Sequence, residues 1–410
     1  MGTDATMSAN PPPLFSPGCV VNPYPTYRVH LAGPSVQPLA VMPGNFVVFQ
    51  FAACSALLRD RRLSVAQRAR SFIPVGDDRL PEFNDLYQHF RRWLLNLDAP
   101  VHTRLRKLMN AGFAPVTVER LRLEIEAVVR RLLADMETRH SVDVIEDYAY
   151  PLPVRVISRL LGIPESLENR CVQLSSDVVA WLGNPRRAAE ETECAQMAVR
   201  ELESIFETVI RKRDKGSSGD DLLCLLLKIA ADDGAITPAD LLAQCVLLLV
   251  AGHETTRNLI GNAVYTLLKY PAALDEVRTD DNAARMAVEE VLRFESPVQG
   301  FRRTVMEDID FDGYRISAGA DLFFILGAAH RDPRLVEAPD SFDIRRNHNR
   351  HLAFGGDAHV CVGATLARLE AQIAVRELAR RFPSLALVND NPEWNPTFTF
   401  RGLRRLPVTL

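Results

Sequence analysis

Residues 351–368 read HLAFGGDAHVCVGATLAR, and this stretch decides how the rest of the chain is read. It sets one cysteine, Cys361, two residues after His359 and between glycines, just before a helix expected over 362–381. Four chemistries could use such a sulfur: a buried core thiol, a catalytic nucleophile, a zinc ligand, or an axial ligand to iron. Zinc needs three or four Cys or His ligands at suitable spacing, and His359 with Cys361 supplies at most two. A core thiol has no use for flanking glycines. A nucleophile with a histidine base would need an orienting group and oxyanion donors. Iron ligation fits the local pattern, because glycines let the backbone approach a flat macrocycle and the first amides of the next helix stabilise a negative sulfur. On these residues alone the nucleophile and the iron ligand both stay open.

The rest of the chain narrows the choice. Its 410 residues are 47% hydrophobic and 24% charged, the balance of a globular protein able to bury a large core. A formal net charge of -4 and a pI near 6.2 give no reason to expect a nucleic-acid partner. The cysteines at 19, 54, 171, 194, 224, 245 and 361 are scattered and form no C-x-x-C pair, which points to a reducing, cytoplasmic setting. The N-terminus has no basic segment followed by an apolar one, so residues 1–21 are expected to be a mobile, proline-rich leader ahead of a single domain over 22–410. The longest apolar run, LLAQCVLLLVAG at 241–252, falls short of the about 20 residues that span a bilayer. A soluble chain without a membrane partner is expected.

The periodicity predicts a mainly α fold with small β-sheets. Leu121, Ile125, Val128, Val129, Leu132, Leu133 and Met136 share one face of a 3.6-residue repeat between Pro115 and His140. Further helices are expected around 145–161, 165–182, 186–213, 220–231, 238–269, 283–295 and 362–381, punctuated by proline and glycine. The 238–269 helix, capped by Thr237 with Pro238 at its first position, should run through the centre of the molecule. Strands are expected near 45–51 and within 308–326, where Asp312-Gly313 signals a hairpin turn.

Two further constellations carry chemistry. In the central segment LLLVAGHETTRN, Ala251 and Gly252 open a gap beside the helix, followed by an acid, Glu254, and a hydroxyl, Thr255. A helical threonine can donate to the carbonyl four residues back, so the segment reads as a cleft with a proton donor and an acid behind it. Close packing of a buried helix is the alternative. HETTR is not a zinc-protease motif, since position 257 is Arg. In VEEVLRFESPVQGFRRT, Glu290 and Arg293 stand three apart and can face each other on a helix. Taken alone, a surface ion pair worth at most about 1 kcal/mol explains them.

Taken together the motifs resemble a known family. FGGDAHVCVG is similar to the haem-binding loop F-G-x-G-x-H-x-C-x-G of the cytochromes P-450. AGHETT resembles that family's oxygen-activating helix motif, Glu290-x-x-Arg293 its E-x-x-R, and LDAPVHTRLRKLMNAGF at 97–113 its haem-contact segment. The likeness runs from about Asn22 to the C-terminus, in the family's order and spacing. It implies a single-domain fold with a long central helix over a buried haem b (iron protoporphyrin IX).

By position, the resemblance makes Cys361 the axial thiolate ligand of the iron. It makes His102, Arg106, Arg303 and His359 partners for haem propionates, with Ala251 and Phe354 also against the haem. Glu254 and Thr255 become the proton-delivery pair, and Glu290 with Arg293, joined by Arg345, a scaffold beneath the cysteine loop. Two positions depart from the pattern. Asp357 stands where the loop's second glycine belongs, and Ser341 where the family usually has Arg. Asp tolerates a positive φ better than most residues, so a conservative turn replacement is expected at 357; its charge could instead lower the haem potential or disturb partner docking.

The implied activity is a monooxygenase that uses O2 and externally supplied electrons to oxidise, most often hydroxylate, a small molecule. No flavin or nicotinamide domain is visible in the sequence, so a ferredoxin and its NAD(P)H-dependent reductase are expected as partners of a monomer. Arg104, Lys107, Arg345, Arg346 and Arg350 are candidates for a basic dock. Apolar pocket walls are expected from Val172, Leu174, Val178, Val179, Trp181 and Phe398, suiting a hydrophobic or amphipathic natural-product intermediate. A peroxide-using or rearranging haem enzyme, and a haem protein that only senses or carries a ligand, are the alternatives.

Overall fold

Helix-forming stretches dominate the chain, and a computed structural model describes them over residues 11–67, 82–183, 189–214, 222–234 and 236–410. The helices begin with α1 (Pro17–Val21), α2 (Tyr24–Leu31), α3 (Phe51–Leu57), α4 (Asn84–Arg91), α5 (Val101–Gly112), α6 (Pro115–Arg120) and α7 (Arg122–Glu137). They continue with α8 (Pro151–Leu160), α9 (Glu165–Gly183), α10 (Ala189–Asp214), α11 (Leu222–Asp233), α12 (Pro238–Lys269), α13 (Pro271–Thr279) and α14 (Asp281–Phe294). Two more, α15 (Leu326–Ala329) and α16 (Ala364–Arg381), follow the main sheet. The apolar faces of α4–α14 and α16 meet in one large cluster that includes residues from Leu86 to Val408, while α2, α3 and α15 pack in two smaller clusters with the main sheet.

The central helix forms as its sequence requires. Thr237 Oγ1 accepts from Asp240 N at 3.1 Å while the Asp240 carboxylate accepts from Thr237 N at 3.1 Å, a reciprocal cap that satisfies two otherwise orphaned donors. The 32 residues of α12 then extend about 48 Å at 1.5 Å per residue. Two glycines set its approach to neighbours. A Cβ at Gly252 would stand 3.1 Å from two atoms of the Ile157 side chain in α8, and one at Gly261 would stand 2.5 Å from Ile145 Cδ1.

The sheets are small and lie beside this helical body. Strands β1 (Val36–Pro38), β2 (Phe46–Val48) and β3 (Leu63–Ser64) come early, and β4 (Ser141–Asp143) follows α7. After α14 come β5 (Gly300–Val305), β6 (Ile309–Phe311), β7 (Tyr314–Ile316) and β8 (Asp321–Ile325), with β9 (Ala386–Leu387) and β10 (Pro407–Thr409) near the C-terminus. The main sheet has the order β1-β2-β8-β5-β3, parallel only between β2 and β8. Its register sets Arg302 and Arg303 of β5 opposite Phe323 and Leu322 of β8. The expected hairpin is β6–β7, turning at Asp312 (φ 51) and Gly313 (φ 80); the Asp312 carboxylate also accepts from Ser35 N at 2.9 Å.

Several sequence expectations are corrected. The strand expected at 45–51 stops after three residues, because Asp332 accepts from Phe51 N at 3.0 Å and starts α3 there. The helix expected over 145–161 is a π-turn at Ile145–Ala149 followed by α8, with Pro151 at the first helical position, where a missing N–H is tolerated. The face between Pro115 and His140 is divided at Leu121 into α6 and α7. Helix α13 was not expected, and α14, capped by Asp280, starts at Asp281, two residues before the expected start. The end of the expected leader packs on the body: α1 buries Cys19 completely, Thr26 Oγ1 donates to Pro12 O at 2.7 Å, and Arg401 Nη1 donates to Val20 O at 2.9 Å. The first ten residues lie outside the described ones.

Candidate active site

The cysteine loop is built by its own backbone. Gly355 (φ 78) and Asp357 (φ 55) both occupy the left-handed region, and a Cβ at Gly355 would stand 3.2 Å from His359 O. The turn returns the chain so that Cys361 N donates to Phe354 O at 2.8 Å. Asp357 meets the backbone need expected of it. The Cys361 side chain is accessible, yet burial is the largest influence on its thiol and pushes the pKa up. The two facts agree if the sulfur opens onto an enclosed space rather than the outer surface. A hydrogen bond from Gly363 N–H and the charges of Arg106 and Arg368 work in the other direction, favouring the anion.

Around this loop stand cations and imidazoles. His102, on α5, is buried, its Nε2 has no hydrogen-bond partner among the described residues, and its ring centroid lies 4.1 Å from that of His359. Burial, then Arg106, lowers its pKa and keeps it neutral. Arg303 is half-buried on β5, where Nη1 donates to Arg302 O at 3.1 Å and the guanidinium lies 4.7 Å from the Phe301 ring. Desolvation lowers its pKa to about 10, only partly offset by Asp98, and among the described residues it makes no ion pair. Arg106 donates to Val360 O, beside the cysteine, and to Asn110 Oδ1 at 2.8 Å.

On α12, Thr255 Oγ1 donates to Ala251 O at 3.1 Å, as the sequence predicted, and Ala251 itself is exposed. Gly252 does not share that opening: it packs on Ile157, so Ala251 supplies the small face that both were expected to give. Glu254 is not a free acid. Arg257 Nη1 donates to its two oxygens at 2.9 and 3.1 Å, and Asn258 adds a bond at 3.3 Å.

The pair Glu290–Arg293 is no surface pair. Both side chains have zero exposure, and Arg293 also donates to the carbonyls of His330, Pro339 and Ser341. Ser341 therefore contributes its backbone, which needs no arginine side chain. Arg346, not Arg345, completes the cluster at 3.3 Å from Glu290; Arg345 pairs with Glu276 at the surface. Arg346 is accordingly removed from the candidate dock. Leu174, Val178 and Trp181 are likewise removed from the pocket walls: they are buried in the main core, with Trp181 stacked on Phe90 at 5.0 Å.

A family model for cytochrome P-450 matches residues 65–406. The chain belongs to the cytochrome P-450 family. It is 38% identical over 367 residues to the biotin biosynthesis cytochrome P-450 of Bacillus subtilis, covering 90% of each chain. It is 38% identical over 411 residues to the cytochrome P-450 monooxygenase PikC of Streptomyces venezuelae, covering 97% of this chain and 94% of that one. Among solved structures, P450BioI in complex with an acyl carrier protein carrying hexadec-9Z-enoic acid superimposes with a TM-score of 0.88 at 34% identity, covering 96% of this chain and 98% of that one. As a cytochrome P-450 this chain is a haem-dependent monooxygenase that draws electrons from outside itself. No described helix is long and apolar enough to cross a membrane.

Sequence reasoning passed over several residues of this P-450. Asp98 ties the 64–66 turn to the start of α5, accepting from Ser64 Oγ and from Val65 N at 3.0 Å. His253 is fully buried in α12, donating from Nδ1 to Leu249 O at 2.8 Å with Nε2 unpartnered. Glu289, His351 and Arg368 form a second polar cluster beside the cysteine loop. Only VEEVLR, with two adjacent acids, carried a sequence signal for that cluster.

Proposed function

We propose that this P-450 oxidises an apolar or amphipathic natural-product intermediate, with Cys361 as the thiolate that would hold the iron of a haem b. The observation that carries this reading is the juxtaposition of the accessible Cys361 side chain with His102, Arg106 and Arg303, which form no ion pair among the described residues. Among the described residues His102 Nε2 has no hydrogen-bond partner and half-buried Arg303 no carboxylate, which two haem propionates would satisfy, together with His359 and Arg106. Exposed Ala251 offers a flat, small face to such a ring, and Phe354 backs it. When bound, haem supplies O2 activation and C–H oxidation; the chain supplies ligation, protons and orientation.

The protein's own steps follow from its bonds. The Gly363 N–H and nearby Arg106 and Arg368 favour negative charge on the sulfur, against the burial that raises its pKa. The Thr255 proton rests on Ala251 O, and rotation about its C–O bond redirects it into the cavity. Glu254 can replenish that proton only when its clamp by Arg257 and Asn258 opens. The intact acid–alcohol pair favours monooxygenation over a peroxide-driven or purely ligand-carrying role.

Electrons are supplied by NAD(P)H through a ferredoxin reductase and a ferredoxin, in the cytoplasm and to a monomer. Exposed Arg104, Lys107 and Arg350 form the basic docking set. Val172, Val179 and Phe398 remain as candidate pocket walls. Since the similar P450BioI is solved with an acyl carrier protein, carrier-tethered acyl chains belong in the substrate screen with free small molecules. Turnover with surrogate ferredoxin, reductase, NADPH and isotopically labelled O2 tests the reading. One labelled oxygen in the product is expected for a compound that shifts the haem spin state; oxidation that proceeds equally without external electrons would overturn it.

A further inference from the structure

Helix α14 carries two adjacent acids that serve different parts of the molecule. Glu290 turns into the buried cluster already described, whereas Glu289 turns toward the cysteine loop. Arg368, on α16 after the cysteine, donates to it from Nε at 2.6 Å and from Nη2 at 3.1 Å. His351, in the irregular segment entering the loop, lies 3.1 Å from the same carboxylate through Nε2. Ala353 N donates to the other ring nitrogen at 3.3 Å, which fixes the proton on Nε2 and makes His351 a donor to Glu289. One carboxylate thus fastens both arms of the loop.

The same cluster reaches the sulfur. Arg368 lies 4.4 Å from the centre of the Phe354 ring, and Phe354 O accepts the Cys361 N–H at 2.8 Å. We propose that Glu289 is a positioning residue for the Cys361 sulfur, holding the Arg368 guanidinium against Phe354 and setting how much of its positive charge the sulfur experiences. This rests on Cys361 being the haem thiolate. With its carboxylate partner in place, the guanidinium is largely compensated. Removal of the negative charge exposes the sulfur to a bare cation, which draws electron density from the ligand and favours the reduced metal. Removal of the cation leaves a carboxylate facing the loop and favours the oxidised metal.

The test is the one-electron reduction equilibrium of the haem-loaded variants Glu289→Gln, Arg368→Gln and the double variant. Glu289→Gln should move it toward the reduced form by up to tenfold, about 59 mV for one electron, and Arg368→Gln should move it the opposite way. The double variant should return near the original. A purely scaffolding role predicts shifts of one sign or none, and either result overturns the proposal. Should Glu289→Gln fail to accumulate with haem, Arg368→Gln decides alone: a shift toward the oxidised form supports the proposal, and no shift or the reverse overturns it. The unsubstituted protein's carbon monoxide spectrum separately tests whether Cys361 ligates, so the two failures are distinguishable.

Discussion

Arg293 grips both oxygens of Glu290, at 2.8 and 2.7 Å, with neither side chain reached by solvent. The carboxylate also accepts from Asp343 N at 2.9 Å and Asn349 Nδ2 at 3.1 Å, so the pair locks α14 to the chain ahead of the cysteine loop. Breaking a buried pair strands its partner's charge and costs roughly 3–5 kcal/mol. Arg293→Ala should therefore lose that much in denaturant titration and retain haem poorly. Arg293→Lys should recover little, since it lacks the fork that serves two oxygens and three carbonyls. An Arg293→Ala protein as stable as the original would contradict this role.

Thr255→Ala removes the hydroxyl that donates to Ala251 O without touching the buried core. A positioned proton donor contributes roughly 10²–10⁴-fold. NADPH and O2 consumption should continue in the variant while product formation falls by about that factor, and Thr255→Ser should recover much of it. Product and consumption falling together would show that the hydroxyl does something other than deliver protons.

Asp357 has φ 55 and is exposed, so it replaces glycine at a backbone position rather than at a contact. Asp357→Gly should leave thermal stability and haem potential unchanged. Asp357→Val should destabilise by roughly 1–2 kcal/mol, because a β-branched residue pays more in the left-handed region. A potential that moves in Asp357→Gly would instead support an electrostatic role for this carboxylate.

These comparisons also show what was legible in the sequence. The loop around Cys361 was readable because a positive φ and a close backbone return require particular residues at fixed spacing. The Asp312-Gly313 hairpin was readable for the same reason, and the cap on α12 because a side-chain oxygen at the N-cap satisfies an otherwise orphaned N–H. The choice between Arg345 and Arg346 was not, because it depends on which of two neighbours faces inward once the chain has turned. The packing of Gly252 on Ile157 depends on a neighbour 95 positions away, and the residues Leu174, Val178 and Trp181 are apolar whether they line a pocket or fill a core. The cluster of Glu289, His351 and Arg368 joins three segments whose proximity no local pattern encodes.

Burial raises the Glu289 carboxyl, but hydrogen bonds from His351 and Arg368, and the Arg368 charge, outweigh it and hold the group at about 2. An unfolded glutamate titrates near 4.3. A pKa depressed in the folded state gives stability that is fully present above about pH 5 and lost as pH falls toward 2. The contribution is about 3 kcal/mol. Denaturant titrations of the haem-loaded protein and Glu289→Gln should therefore converge as the pH drops from 6 to 3. A stability gap that stays constant over that range would contradict the assignment.

Everything depends on the state of one sulfur. The most direct measurement is the absorption spectrum of the reduced, haem-loaded protein under carbon monoxide, recorded beside Cys361→Ser. The account predicts the strongly red-shifted Soret band of an iron carried by a sulfur anion, and its disappearance in the variant. A band at the ordinary position in the folded, unsubstituted protein, or a red-shifted band that survives Cys361→Ser, would contradict it.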